Sequence, residues 1–216
     1  MTSLQVFDAR LAKVAQGAGA LERLCSGAAW SEGPAWLPRS SELIWSDIPN
    51  NRILSWHAQH GLRVWRDGAE FTNGHVLDQG GDLLHASHGQ RAIIRTRLGS
   101  QGEPLADEVV VDNYRGQRLN SPNDLVVKSD GSIWFTDPPY GILIDYEGAQ
   151  AESELGINHV YRIDGDSGEI AVVADEQTVR DLRPNIDAIA RFDAIAVVPT
   201  AAAEAASPYD FVSRVF

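Results

Sequence analysis

The chain has 216 residues and a mass of 23.5 kDa, which is enough polypeptide to bury the core of one large or two small domains. Its 30 acidic and 18 basic residues give a formal net charge of -12, and lysine occurs only at Lys13 and Lys128, so we expect no nucleic-acid-binding face. The single cysteine, Cys25, excludes an intramolecular disulfide and a zinc site built from several cysteines.

The first 24 residues contain no uninterrupted apolar run of the kind found in a secretory leader. No later stretch approaches the roughly 18 apolar residues that a membrane-spanning helix requires. From the sequence we therefore expect a cytoplasmic protein that has no membrane partner.

Three segments in the next part of the chain resemble one another. They are residues 32–47, 73–87 and 123–137. Each has a polar residue, an apolar strand, a turn and a second apolar strand, and the segments start at intervals of about 40 to 50 residues, which is the period of β-propeller blades. The pattern predicts an all-β fold of the propeller type.

The first residues of these segments are Glu32, Asn73 and Asn123. In a propeller the innermost strand of every blade lines the central channel, so these three side chains would point toward a common centre. One carboxylate and two amides are hard oxygen donors, which suit Ca²⁺ and, with more retained water, Mg²⁺ or Mn²⁺. A structural explanation is also available, because Asn73-Gly74 is a frequent turn dipeptide and is best explained in that way. Spacing alone leaves both explanations open for Glu32 and Asn123.

Four further polar residues have both a functional and a structural explanation. His85 and His88 follow a strand and could carry protons, but histidines at strand ends more often hydrogen-bond a neighbouring loop. Asp47 and Asp137 occupy matching positions after the second strand of their segments, where a carboxylate commonly caps a turn. The structural explanation is favoured for all four.

Several motifs in chain order resemble the senescence-marker-protein/gluconolactonase/luciferin-regenerating-enzyme family of six-bladed propellers, over residues of about 7–174. They are Ser31-Glu32-Gly33-Pro34, Trp45-Ser46-Asp47-Ile48-Pro49, His88-Gly89 with Arg91, Asn120-Ser121-Pro122-Asn123-Asp124 and Phe135-Thr136-Asp137-Pro138-Pro139-Tyr140-Gly141.

The resemblance implies a hydrolase of sugar lactones that uses one divalent cation, with Ca²⁺ as the first choice and Zn²⁺, Mg²⁺ or Mn²⁺ as alternatives. It makes Glu32 the metal ligand of the first blade. It makes Asn123 the amide of the third blade that contacts the metal, the substrate or both.

The same resemblance indicates that part of the family pattern is missing. Six blades need roughly 240 to 270 residues, so we expect an incomplete propeller of about four of the six blades. Beyond Asp175 the catalytic aspartate of the family has no counterpart, and the catalytic residue is therefore unknown. The sequence predicts either an impaired lactonase or a truncated or fused, non-catalytic propeller fragment. In either case the open propeller edges predict self-association.

The C-terminal part has a different composition, since all 19 glycines lie at or before Gly168. We expect a short α/β segment with a helix over 184–192 and a strand over 194–199. Residues 179–216 resemble an internal piece of the phenazine-biosynthesis isomerase-like family, mainly through the Asp-Phe-Val-Ser-Arg run. These observations predict a division into 1–175 and 176–216, with the junction near 175–184. The alternative is a divergent fourth blade in which Asn185 is a further metal ligand.

Overall fold

A computed structural model describes residues 22–173, 200–202 and 211–213, and within them three four-stranded antiparallel sheets follow one another along the chain. Blade 1 contains β1 (Glu32–Leu37), β2 (Glu42–Asp47), β3 (Arg52–His57) and β4 (Gly61–Asp67). Blade 2 contains β5 (Thr72–Leu77), β6 (Leu83–Ser87), β7 (Ala92–Leu98) and β8 (Pro104–Val111). Blade 3 contains β11 (Leu125–Val127), β12 (Ile133–Asp137), β13 (His159–Ile163) and β14 (Ile170–Val172).

Small elements connect or follow the blades. They are a 3-10 turn (Ile48–Asn50), the hairpin of β9 (Asn113–Tyr114) and β10 (Gln117–Arg118), helix α1 (Tyr140–Leu143), and the paired strands β15 (Thr200–Ala202) and β16 (Phe211–Ser213). In the part of the chain that the structure describes, no helix is long and apolar enough to cross a membrane.

Each pair of neighbouring blades encloses its own apolar core. Leu37, Ile44 and Ile53 of blade 1 pack with Leu83 and Leu98 of blade 2. The second core, between blades 2 and 3, contains Leu84, Ala86, Ile93, Leu125, Ile133, Phe135, Tyr161 and Ile163. Because successive residues of a strand point to opposite faces, β6 directs Leu83 into the first core and Leu84 into the second.

The all-β, incomplete propeller predicted from the sequence is confirmed, and its three segments are the first two strands of blades 1, 2 and 3. A fourth blade would need residues after Val173, most of which lie outside the described residues. The predicted helix over 184–192, the strand over 194–199, Asn185 and the junction near 175–184 also lie outside them.

The structural explanation of His85 agrees with the fold. Its side chain is buried in blade 2, where Nδ1 lies 3.1 Å from Thr72 Oγ1 and Nε2 lies 2.9 Å from Thr96 Oγ1. Burial, together with the positive charge of nearby groups, lowers the pKa of His85 to about 3. The ring is therefore neutral near pH 7, and it is committed to hydrogen bonds inside the sheet.

Candidate functional site

The innermost strands of the three blades, β1, β5 and β11, meet at their first residues. The amide of Gly74 in β5 donates to the carbonyl oxygen of Asn123 at 2.9 Å. On the other side of β5, Nδ1 of His75 lies 2.8 Å from the carbonyl oxygen of Gly33 in β1. The starts of the three strands are thus adjacent, as the propeller register requires.

Every one of these strand starts contains a β-bulge. The pairing register shifts within 32–35 of blade 1 and within 72–75 of blade 2. In blade 3, the Asn123 amide donates to the Thr136 carbonyl oxygen, and the Thr136 amide donates to the Asp124 carbonyl oxygen, each at 3.0 Å. Asn123 and Asp124 therefore both lie opposite the single residue Thr136. Bulges bend a strand and redirect its side chains, and they are common next to functional sites.

Two glycines allow the bulged strands to approach each other closely. Gly33 has φ of 57°, and a Cβ atom on it would overlap the carbonyl oxygen of Asn73. A Cβ on Gly74 would lie 2.5 Å from Asp124 Oδ1 and 2.8 Å from the Asn123 oxygen. The backbones of neighbouring blades therefore touch at this position, and any side chain would separate them.

The two predicted ligands lie on either side of β5. Glu32 is exposed at the start of β1, and Asn123 is half-buried just before β11. Neither side chain makes a hydrogen bond or an ion pair to another of the described residues. No group of three or more His, Cys, Asp or Glu side chains that could hold a metal ion occurs within the described ranges.

Asn73 does not form the turn that its dipeptide suggests. It lies inside strand β5, is 8% exposed, and accepts a hydrogen bond on its carbonyl oxygen from Ser46 Oγ at 2.8 Å. The turn interpretation of Asn73-Gly74 is therefore wrong. Gly74 is needed for the close approach of β11 and not for a reversal of the chain.

The connection between β12 and β13, residues 138–158, crosses from blade 3 toward blade 1. Its Tyr146 ring contacts the Trp30 ring edge-on, with 5.4 Å between the centroids, although Trp30 precedes β1. The neighbouring residue, Glu147, lies near Glu32. Sequence reasoning missed this segment because no local pattern indicates which distant residues a long loop will contact.

Glu147 brings a second carboxylate to the mouth of the site. Burial, and then the charge of Glu32, raise the pKa of the Glu147 carboxyl above its ordinary value. Its carbonyl oxygen accepts a hydrogen bond from Nδ1 of His88 at 2.9 Å, and burial lowers the pKa of that histidine. His88 is thus a neutral side chain beneath the segment that carries Glu147, which agrees with the structural explanation.

A buried carboxyl group holds the segment that leads to Asn123. Asp137 Oδ2 and Oδ1 accept hydrogen bonds from the backbone amides of Asn120 and Ser121, each at 2.9 Å. Its side chain is fully buried, and burial raises the pKa of Asp137 to about 7 against the opposing effect of these amides.

Asp47 has the same role in blade 1, where it accepts hydrogen bonds from the amides of Ala29 and Trp30 at 2.9 and 3.1 Å. Arg52 also pairs with Asp47 at 2.8 Å. Burial favours the neutral acid here too, but the hydrogen bonds from Asn50, Trp30, Arg52 and Ala29 outweigh it and lower the pKa of Asp47. Both aspartates therefore have a structural role, as the sequence suggested, but the backbone amides that they bind lie 16 to 18 residues earlier in the chain and not in the turn that follows their strand.

Ser121 connects the segment before Asn123 to the crossing segment 138–158. Its Oγ donates to the Pro138 oxygen at 2.6 Å and accepts from the Gly141 amide at 2.9 Å.

We expect Ser121→Ala to lower the free energy of unfolding by about 1 to 3 kcal/mol, because it leaves both backbone groups without a partner. Hydrogen exchange should show faster exchange at the Gly141 amide. Ser129→Ala, at an exposed position, is the control, and equal exchange in the two variants would contradict the connection.

Comparisons with known proteins agree with this architecture. The model of the family described as the SMP-30/Gluconolactonase/LRE-like region matches residues 30–181. A gluconolactonase from Zymomonas mobilis is 32% identical, over 74% of this chain and 47% of its own length. A solved gluconolactonase from Xanthomonas campestris is 43% identical with a TM-score of 0.63, over 70% of this chain and 49% of its own.

A second solved structure, a structural-genomics target described as a gluconolactonase candidate, is 38% identical with a TM-score of 0.64. The match covers 70% of this chain and 50% of that one. The chain thus spans about half the length of the relatives that it matches.

Proposed function

Since the chain belongs to the SMP-30/Gluconolactonase/LRE-like family, we propose that it hydrolyses a sugar lactone with the help of a divalent cation. The observation that carries this proposal is the family match over 30–181, which includes both Glu32 and Asn123. The gluconolactonase relatives, at 32% and 43% identity, support the same reaction class.

The residues at the strand starts fit a cation that prefers oxygen ligands. Glu32 supplies a carboxylate and Asn123 an amide oxygen, and neither is committed to another of the described side chains. Glu147 brings a second carboxylate near Glu32, and the pKa of its carboxyl is raised first by burial and then by the charge of Glu32. These donors favour Ca²⁺, with Mg²⁺, Mn²⁺ and Zn²⁺ as alternatives.

Lactone hydrolysis adds water to the carbonyl carbon and breaks the ring C–O bond to give a hydroxy acid. A bound divalent cation supplies Lewis acidity that polarises the lactone carbonyl. In this proposal Glu32 and Asn123 hold the cation, and Asn123 also orients the substrate. Asp137 and Ser121 act indirectly, because they fix the backbone that leads to Asn123.

The test is Glu32→Gln, which keeps the size of the side chain and removes its charge. We expect cation affinity to fall by at least about tenfold, because the cation loses an anionic ligand, and the rate of lactone hydrolysis to fall with it. Calcium affinity is measured by titration calorimetry and hydrolysis of a six-membered aldonolactone by pH-stat. Glu169→Gln, at an exposed position in the turn between β13 and β14, is the matched control. Full activity of Glu32→Gln in the presence of a chelator would refute the proposal.

A second candidate function is binding of the cation or lactone without turnover. It is favoured by the finding that Glu32 and Asn123 offer uncommitted oxygen atoms, while no catalytic residue is assigned among the described residues. The two candidates separate in the same experiments, because a binding protein would show calorimetric binding with no acid release in the pH-stat.

We also propose that the division into 1–175 and 176–216 reflects two unrelated origins. The absence of glycine after Gly168 supports it, and the family match ends at residue 181, close to the proposed junction. The resemblance of residues 179–216 to the isomerase-like family remains part of this proposal. This resemblance gives no reason to expect isomerase activity.

A further inference from the structure

Two neighbouring buried residues hold the two ends of the crossing segment 138–158. Ser121 binds the outgoing end. Asn120 binds the returning end, because its Oδ1 accepts a hydrogen bond from Ser153 Oγ at 2.6 Å and its Nδ2 donates to the Ile157 oxygen at 3.0 Å. Asn120 and Ser121 are both fully buried. One dipeptide therefore fixes where the segment leaves blade 3 and where it returns.

The side chain of Asn120 also binds the end of β12. Its Nδ2 donates to the Asp137 carbonyl oxygen at 3.1 Å, in addition to the Ile157 oxygen. The amide group thus bridges the last residue of β12 and the chain that leads into β13. Among side chains of this size, the asparagine amide alone supplies two N–H donors together with an acceptor. The three contacts therefore specify asparagine at this position.

The backbone around Asn120 is held by different groups. Its amide donates to Asp137 Oδ2. Arg91, at the start of blade 2's third strand, donates from Nε to the oxygens of Leu119 at 2.6 Å and Asn120 at 3.1 Å. Removal of the Asn120 side chain would leave these backbone bonds in place, so the segment that leads to Asn123 would stay fixed.

The two halves of the crossing segment are hydrogen-bonded to each other. The amides of Ala149 and Ala151 donate to the oxygens of Gly141 and Ile142, each at 3.0 Å. A displacement of the returning end would therefore be transmitted to the middle of the segment.

The middle of the segment lies on the other side of the candidate site. Tyr146 contacts the Trp30 ring, and Glu147 lies near Glu32. A lactone held between Glu32 and Asn123 would meet this part of the segment.

We propose that Asn120 is a positioning residue for lactone binding, a role that rests on the function proposed above. Its side chain holds the crossing segment against a lactone bound at Glu32 and Asn123. Without that side chain the segment is ordered only when the lactone binds, and the cost of ordering it lowers the affinity. The chemical step changes little, because the backbone before Asn123 keeps its bonds to Arg91 and Asp137.

The test is Asn120→Ala in the full chain, with calcium present. Titration calorimetry measures the Kd of a six-membered aldonolactam, which has the ring of the lactone but resists hydrolysis. We expect this Kd, and the KM for the aldonolactone in the pH-stat, to rise at least about fivefold. We expect kcat to stay within about threefold and calcium affinity within about twofold of wild type. A purely structural side chain would lower kcat through loss of folded protein and leave both KM and Kd unchanged.

Thr96→Ala is the matched control, because Thr96 is equally buried and also has several side-chain contacts. Its Oγ1 lies 2.9 Å from His85 Nε2 and donates to Asp107 Oδ1 at 2.6 Å, within blade 2. This variant should lose stability but keep the wild-type Kd for the lactam. Hydrogen exchange should become faster across residues 142–157 in Asn120→Ala and not in Thr96→Ala.

A second variant covers the case in which Asn120→Ala does not melt cooperatively. Ser153→Ala removes one of the contacts to Asn120, so we expect a smaller rise of the lactam Kd in the same direction. An unchanged lactam Kd in the folded variants, or a fall of calcium affinity as large as that of lactam affinity, would overturn the positioning role alone. A wild-type protein that neither binds the lactam nor releases acid from the lactone would refute the proposed function, and the positioning role with it.

Discussion

Gly33→Ala is expected to lower the free energy of unfolding by at least about 3 kcal/mol. The residue has φ of 57°, a conformation that costs an alanine about 1 to 2 kcal/mol. The added Cβ would also overlap the Asn73 carbonyl oxygen and lie 2.7 Å from the Gly74 Cα, so blades 1 and 2 must separate at their closest point. Overlap with backbone atoms is not relieved by a side-chain rotation, which makes this the larger of the two penalties.

Two further glycines separate the cost of the positive φ from the cost of the backbone overlap. Gly61 has φ of 71°, but an added Cβ would meet no atom within 4 Å, so we expect Gly61→Ala to cost about 1 kcal/mol. Gly74→Ala has no such φ, but its Cβ would lie 2.5 Å from Asp124 Oδ1, and we expect an intermediate cost. Urea denaturation of the three variants measures these differences. If Gly33→Ala costs no more than Gly61→Ala, the close approach of the blades is absent in solution.

Asp137→Asn is expected to destabilise the protein at low pH. The difference in free energy of unfolding between wild type and this variant should shrink as the pH rises. Burial raises the pKa of Asp137 in the folded protein from 3.8 to about 7, so the folded state holds a proton that the unfolded state has released. The wild-type protein therefore loses up to about 4 kcal/mol from this group as the pH rises from about 4 to above 7. Asparagine does not titrate, so the difference in stability between wild type and variant should shrink by that amount.

Asp47→Asn is the matched control because Asp47 caps blade 1 in the same way. Its pKa is lowered by its hydrogen bonds, so its stabilising contribution is present above pH 4 and is lost only at lower pH. The difference between wild type and this variant should stay constant from pH 5 to pH 8. Denaturation curves are recorded at several pH values for each variant and for wild type. Comparing the two at the same pH cancels the titration of all other groups. A constant difference for Asp137→Asn would show that its carboxyl is ionised throughout.

The parts of the fold that could be predicted from the sequence depend on short-range patterns. Alternating apolar residues and turn clusters located the first two strands of each blade, and the recurrence of Glu32, Asn73 and Asn123 at their starts gave the register between blades. The matching positions of Asp47 and Asp137 predicted their structural role, but not the distant backbone amides that they bind. The strands and turns are encoded in short stretches of neighbouring residues. The period of the repeat then relates the blades to one another.

The features that sequence reasoning missed depend on contacts between distant residues. Tyr146 reaches Trp30, and Glu147 approaches Glu32, only because the segment 138–158 crosses over blade 2. The bulges at the strand starts were missed because they need the pairing partner to be known. The turn predicted for Asn73-Gly74 failed for the same reason, since the close approach of Asp124 decides the use of that glycine.

Strand β6 supplies Leu83 to one core and Leu84 to the other, so both faces of this strand are covered by neighbouring blades. Loss of either neighbour by deletion would uncover a full apolar layer of the sheet that remained.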